Sequence, residues 1–375
     1  MRDNISRLKR TKWTIALASV ILAIGACEVL LRISLFHSSV EFASQDPEYY
    51  ARTLDELWIY RQLFSRSKRW TVGAGQPDAT GETRIEFYRK WPTSLTPDGE
   101  LGYVRKPDVR TPCHETTRLG TRGTQDYAST GRKIVFFGDS FVESAACSND
   151  TLTAKVEALT GIDTLNYGVG GYGLDQMYLY FKRELPRFDR KESLFLVGLI
   201  QDDLGRVLLT VRTSPKPYFT ISDDKLVLHT SHIHPDSLND YFERPPERFY
   251  LYYFLRGRFG DPVYRSLMRE TRDARQQATL ALSRLLIKAF ADLRRQTPPF
   301  VLAFVIFPTP GAPFDSAVLS LMRAENIPVV DLQGCLLGSN LPDRALYAEL
   351  HPTSVGNDLL AQCLRQDLTA NRLLP

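Results

Sequence analysis

Five short, largely apolar runs recur through the second two-thirds of the chain: Lys133–Phe137, Thr164–Tyr167, Ser193–Ile200, Phe300–Phe307 and Ile327–Leu332. Continuous rather than alternating apolar character predicts strands buried on both faces, as in a parallel sheet. Helical periodicity separates them at 151–160, 174–185, 267–296 and 354–366. In the third of these, Leu267, Thr271, Ala274, Ala278, Leu282, Leu285, Ala289 and Leu293 predict one packing stripe. Strands alternating with helices imply a three-layer α/β fold. Residues 206–265 interrupt the alternation with Pro, Tyr and Phe, and read as an insertion over one end of the sheet. Upstream, residues 37–70 have the apolar spacing of a juxtamembrane helix, and 71–84 (TVGAGQPDATGETR) read as a loop.

The N-terminus has a different pattern. From Thr14 to Leu31 the chain reads TIALASVILAIGACEVLL, with one charge, Glu28. That length approaches the minimum for crossing about 30 Å of hydrocarbon as a helix. A retained anchor fits best, because apolar residues continue through Leu35 and no A-x-A site follows. A cleaved lipoprotein signal competes through the lipobox-like Ile24-Gly25-Ala26-Cys27, although the apolar VLLRISLF after Cys27 is unlike the usual polar stretch. A buried soluble helix is the third reading, opposed by the one-sided basic flank. Glu28 is costly in lipid but lies near the outer end, where it can snorkel or pair with Arg32.

Charge sharpens this picture. The formal net charge is +4, and residues 1–12 account for it with Arg2, Arg7, Lys9, Arg10 and Lys12 against Asp3. A basic tip on an apolar helix predicts an N-terminus in the cytoplasm and a body outside it. The neutral body argues against a nucleic-acid partner, whose binding rests on phosphate neutralisation. Hydrophobic residues at 43% give ample material for a core. Apart from Cys27, four cysteines remain in a body expected to be exported. They pair by proximity as Cys113–Cys147 and Cys335–Cys363, or stay buried as free thiols.

The candidate chemistry lies after the strands, since open parallel sheets place sites at their carboxyl ends. Gly138-Asp139-Ser140-Phe141 follows the first strand, and Asn166-Tyr167-Gly168-Val169-Gly170-Gly171-Tyr172-Gly173 the second. Gln201-Asp202-Asp203 follows the third, and Glu349-Leu350-His351-Pro352 precedes the last helix. A serine, a glycine turn and a histidine on one edge are the parts of an acyl-transfer site. The histidine takes the hydroxyl proton, a carboxylate fixes its tautomer, and backbone N–H groups hold the oxyanion.

FFGDSF, NYGVGGYG and the terminal His-Pro followed by Gly356 resemble the SGNH (GDSL-type) hydrolases over roughly residues 100–370, including the LGYVRKP approach to the first strand. The resemblance implies a flavodoxin-like three-layer α/β/α sandwich with a five-stranded parallel sheet, and esterase, lipase or carbohydrate-deacetylase activity. It places the nucleophile at Ser140 and the base at His351, with the Ser140 and Gly171 N–H groups in the oxyanion hole.

Three positions depart from the family pattern. GDSF replaces GDSL. Where the family supplies an Asn to the oxyanion, Gln201, Asp202 or Asp203 stands; Gln201 serves through its amide, an Asp only if protonated. The usual acid three residues before the histidine falls on Ala348, so Glu349 is the candidate triad acid, with Asp343 as another source.

Rival motifs are weaker. Gly168–Gly173 matches G-x-G-x-x-G, but the acid that ends the next strand, Asp202, is 29 residues beyond Gly173 rather than about 20. His229, His232 and His234 sit in the irregular insertion and read as a solvated loop rather than a metal site. His114-Glu115 fails as H-E-x-x-H because Arg118 takes the fifth place. Phe242, Phe249, Tyr250, Tyr252, Tyr253 and Phe254 pack the insertion or line a lipid or sugar site.

The sequence thus predicts a basic tip and anchor over 1–36, a lead-in over 37–130 and a hydrolase-like domain over 131–375. The expected activity is that of a membrane-anchored serine esterase acting on an acyl-ester substrate, carbohydrate or lipid, with no metal or organic cofactor implied. An O-acyltransferase with the same serine and histidine, and a non-catalytic polysaccharide- or partner-binding protein, are the alternatives.

Overall fold

In the computed structural model, the described residues are 2–37, 95–127, 130–209, 211–212, 214–230, 233, 251, 276–295, 300–310, 313–337, 339, 341–348 and 350–374. The chain divides into two compact units, Met1–Lys90 with Leu238–Thr271, and Trp91–Ser237 with Arg272–Pro375. Apart from His37, the expected juxtamembrane helix over 37–70 lies outside the described residues, as do the loop over 71–84 and the aromatic residues Phe242, Phe249, Tyr250, Tyr252, Tyr253 and Phe254.

In the first unit, helix α1 runs from Arg2 to His37. Its segment Lys12–Leu30 has a mean hydropathy of 2.0 over 19 residues, long and apolar enough for a membrane span or a signal sequence. At about 1.5 Å per residue that segment rises roughly 28 Å, close to the hydrocarbon thickness. Trp13, Ile15, Leu17 and Leu22 are all exposed. Glu28 Oε2 accepts from the Leu251 N–H at 2.7 Å.

The second unit is built on one sheet. Its strands are β1 (Lys133–Gly138), β2 (Asp163–Gly168), β3 (Ser193–Leu199), β4 (Val301–Ile306) and β5 (Val329–Asp331). All neighbours are parallel and the spatial order is 2-1-3-4-5. This is the flavodoxin-like order, with its switch point between β1 and β3. The expected three-layer α/β/α sandwich on a five-stranded parallel sheet is therefore present.

Burial explains the unbroken apolar runs. Every residue of β1 and β3 is buried. Val135 and Phe137 pack into one core layer, Ile134 and Phe136 into the other. Fully burying each such side chain contributes about 1.5–3 kcal/mol. Helices α3 (Leu152–Thr160) and α8 (Ser354–Ala370) contribute Leu152, Val156, Leu360 and Leu364 to the second layer. Opposite them lie α4 (Leu174–Glu184), α6 (276–295) and α7 (Ser316–Ala324). In α6 the buried stripe runs through Leu282, Leu286, Ile287, Phe290 and Ala291. This corrects the predicted stripe, which it shares at Leu282: Ala278 is exposed, Leu285, Ala289 and Leu293 are half-buried beside the row Leu282, Leu286 and Phe290, and Leu267, Thr271 and Ala274 lie outside the described residues.

Both disulfides expected from sequence proximity are present, Cys113–Cys147 and Cys335–Cys363. Ahead of β1, an antiparallel hairpin pairs Leu95–Asp98 with Gly102–Arg105. Within the expected insertion, a second hairpin pairs Tyr218–Ser222 with Lys225–His229.

Candidate active site

Helix α2 (Ser140–Glu143) starts directly after β1, with Ser140 as its first residue and Asp139 as its cap. Asp139 Oδ1 accepts from the Phe141 N–H at 2.8 Å. Such a cap stabilises a helix start by about 1 kcal/mol, and here it fixes the backbone that carries Ser140. Asp139 Oδ2 lies 3.4 Å from Ser140 Oγ.

His351 arrives from the far end of the chain. It pairs with Ala348 in a short antiparallel hairpin, follows Leu350 in the left-handed region at φ 69°, and precedes α8. Its Nε2 lies 2.9 Å from Ser140 Oγ. The ring packs against Phe141, centroids 5.5 Å apart. With Nε2 accepting, Ser140 donates and the imidazole carries its proton on Nδ1. The structure therefore brings the predicted nucleophile and base together. Glu349, the predicted acid, lies outside the described residues. The other candidate, Asp343, is exposed at the start of a short helix, Asp343–Leu346.

The glycine segment closes the other side. Tyr172 N–H donates to Val169 O at 3.2 Å, making a turn with Gly170 and Gly171 at its centre. Gly171 has φ 83°, the value a type II turn demands at its third position and one that favours glycine. The turn abuts α2: a Cβ on Gly170 would come 3.7 Å from Ser140 Cβ and 2.9 Å from Glu143 Oε2. A Cβ on Gly168 would meet the Glu143 nitrogen at 2.4 Å. The glycines thus let α2 sit on the end of β2, which accounts for the close glycine spacing by packing alone.

After β3, helix α5 (Gln201–Arg206) holds the third block. Gln201 Oε1 accepts from Asp315 N–H at 2.8 Å, tying it to the start of α7. Asp202 is exposed. Asp203 is buried: its Oδ2 accepts from Ile200 N–H at 2.9 Å and its Oδ1 pairs with Arg206 Nη1. The same Nη1 reaches Asp139 Oδ2 at 3.1 Å and Tyr172 O at 3.0 Å. Burial, and after it the Asp139 carboxylate, push Asp203 well above the usual carboxylate range.

Sequence reasoning missed Arg206, Glu143, Arg105, Tyr103 and Lys216. Glu143 Oε2 accepts the Gly170 N–H at 2.5 Å, and its Oε1 pairs with Arg105 Nη2 at 2.8 Å. Arg105 Nε donates to Gly168 O at 2.7 Å. Tyr103 Oη donates to Gly170 O at 3.2 Å. Lys216 Nζ and Asp175 Oδ2 form a fully buried pair at 2.5 Å. Burial pushes Asp175 up and Lys216 down. One signal was available, since the LGYVRKP stretch places Tyr103 and Arg105 two residues apart on one strand.

Of the three insertion histidines, His229 stacks on Tyr218 at 4.8 Å, while His232 and His234 lie outside the described residues. Among the described residues no group of three His, Cys, Asp or Glu could hold a metal ion.

A serine within hydrogen-bond reach of an imidazole, at the carboxyl edge of a 2-1-3-4-5 sheet, is an arrangement able to carry out nucleophilic acyl transfer. No protein-family model matches the chain, and no curated protein matches it. Among solved structures it is similar to a member of the lipolytic protein G-D-S-L family from Veillonella parvula DSM 2008, at 13% identity, 64% of this chain and 99% of that one, TM-score 0.33. It is similar to the lipase/acylhydrolase from Enterococcus faecalis, at 14% identity, 64% and 96% coverage, TM-score 0.34. It is also similar to a family two carbohydrate esterase from Clostridium thermocellum, at 12% identity, 64% of each chain, TM-score 0.33.

Proposed function

We infer that the protein is a membrane-anchored serine ester hydrolase of SGNH/GDSL type whose body lies outside the cytoplasm and acts on acyl esters of envelope carbohydrate or lipid. The observation that carries this reading is the 2.9 Å contact between Ser140 Oγ and His351 Nε2. Ser140 Oγ attacks the ester carbonyl carbon while its proton passes to Nε2. The carbonyl oxygen takes the negative charge, facing the N–H groups of Ser140 and Gly171. His351 returns the proton to the departing alkoxide, leaving an acyl-serine. Water then attacks this ester, gives its proton to His351, and the serine is released with the acid.

The location rests on independent physical grounds. The basic residues before Lys12–Leu30 favour a cytoplasmic N-terminus. Two disulfides in the body fit an oxidising compartment. Such an anchor keeps the site within reach of the acylated polymers and lipids of the envelope.

A fluorophosphonate probe applied to the full chain in detergent, with the adduct mapped by mass spectrometry, tests the reading. One adduct on Ser140 is expected, lost in Ser140→Ala and reduced at least about a thousandfold in rate in His351→Ala. An unlabelled, folded wild-type protein would falsify it.

A further inference from the structure

Resting on the serine hydrolase reading, we propose that Tyr103 and Glu143 are positioning residues that aim the Gly171 N–H at the oxyanion. Gly170 C=O and Gly171 N–H belong to one peptide unit. That unit is planar and trans, so holding its oxygen fixes the direction of its hydrogen. Tyr103 Oη donates to this very oxygen at 3.2 Å. The preceding N–H, that of Gly170, is held by Glu143 Oε2 at 2.5 Å. The peptide is therefore gripped at its carbonyl and at the neighbouring nitrogen.

The turn needs such a grip. Two adjacent glycines have no side chains to resist rotation of the peptide between them, and glycine samples both signs of φ freely. A flip of this unit would replace the N–H by a carbonyl oxygen, which repels an oxyanion. Glu143 is one helical turn past Ser140, so the nucleophile and the turn share one support. Its carboxylate is itself fixed by Arg105, which also holds Gly168 O. Tyr103 is fixed from behind, since Tyr172 Oη donates to Tyr103 O at 2.5 Å and the two rings pack edge to face at 5.3 Å. Donation to Gly170 O also polarises the peptide and strengthens its N–H as a donor.

The hairpin ahead of β1 thereby gains a role. Residues 95–105 stand outside the five-stranded sheet, yet Leu101, Tyr103 and Arg105 all reach the glycine segment or α4. Leu101 contributes its carbonyl, which accepts from Gln176 Nε2 at 2.9 Å.

Tyr103→Phe is the decisive variant, because it deletes one oxygen and keeps the ring packing. With p-nitrophenyl acetate, kcat is expected to fall about tenfold at unchanged KM, less than the roughly 100- to 1,000-fold lost with a whole oxyanion donor. The fluorophosphonate labelling rate should fall in parallel, with the thermal midpoint within about 2 °C of wild type. Glu143→Gln, which keeps an acceptor for the Gly170 N–H, should retain more kcat than Glu143→Ala. Wild-type kcat in Tyr103→Phe, or a loss carried by KM alone, overturns the proposal. Absence of Ser140 labelling in the wild-type chain would instead overturn the hydrolase reading beneath it.

Discussion

The protein carries charge in two ways, and the contrast is sharpest between the glycine turn and the outer face of α3. Around the turn, Asp139, Asp203, Asp175 and Lys216 are fully buried, with Arg206 and Arg105 nearly so. On α3, Lys155 reaches Asp150 and Asp358 at 3.1 Å each, but all three side chains see solvent. The energetics run in opposite senses. At the turn burial dominates, raising Asp203 and Asp175 and lowering Lys216. On α3, hydrogen bonds from Ser354 and Lys155 simply hold Asp150 low. Buried pairs gain little net stability over apolar packing of the same shape. Their concentration against Ser140 and Gly171 therefore reads as a demand for geometry, where the α3 pairs only decorate a surface.

The comparison can be pressed hardest at Arg206. Arg206→Met leaves Asp139 and Asp203 buried without their guanidinium, and should cost about 3–5 kcal/mol in urea unfolding, with Ser140 labelling lost alongside. A cost near that of a surface pair would break the contrast.

A gentler lever is pH. His114 Nε2 lies 3.2 Å from Arg105 Nη1, a donor, so the ring must be neutral there. Burial first, then Arg122 and Arg105, push His114 down to about 4. Between pH 6.5 and 4 the unfolded chain binds a proton at His114 that the folded chain refuses. Stability should therefore fall as pH drops through that window, and His114→Gln should flatten the trend in denaturation midpoints. An unchanged slope would detach His114 from the turn.

The smallest effect belongs to α3, where Lys155→Ala should cost about 0.5 kcal/mol or less, read in the same urea titration and shrinking further at 1 M salt. A cost of several kcal/mol would erase the distinction.

Much of this architecture is legible in sequence because burial on both faces leaves no room for polar residues in Phe136, Phe137 or Leu194–Leu199. Ser140 and His351 are legible because their motifs end a strand and begin a helix. The supports are not. Arg105, Arg206 and Lys216 are residue types that ordinarily face water, and only the folded chain reveals that they are buried, with Glu143 half-buried beside them. Tyr103 and Gly170 are 67 positions apart, a distance over which no local pattern speaks. In α6 two apolar rows run side by side, Leu285–Ala289–Leu293 and Leu282–Leu286–Phe290, and periodicity alone does not say which of them faces the sheet.

The two disulfides acquire a topological meaning once the pair is known. Cys113–Cys147 closes a ring that contains Ser140, and Cys335–Cys363 closes one that contains His351. When heat unfolds the oxidised protein, both rings survive as covalent loops, one holding Ser140 and one holding His351. Recovery then requires two tethered rings to find each other again across 211 residues, rather than the loose chain that a thiol reductant would leave. The oxidised state thus becomes a form of memory, kept in bonds that flank Ser140 and His351 along the chain.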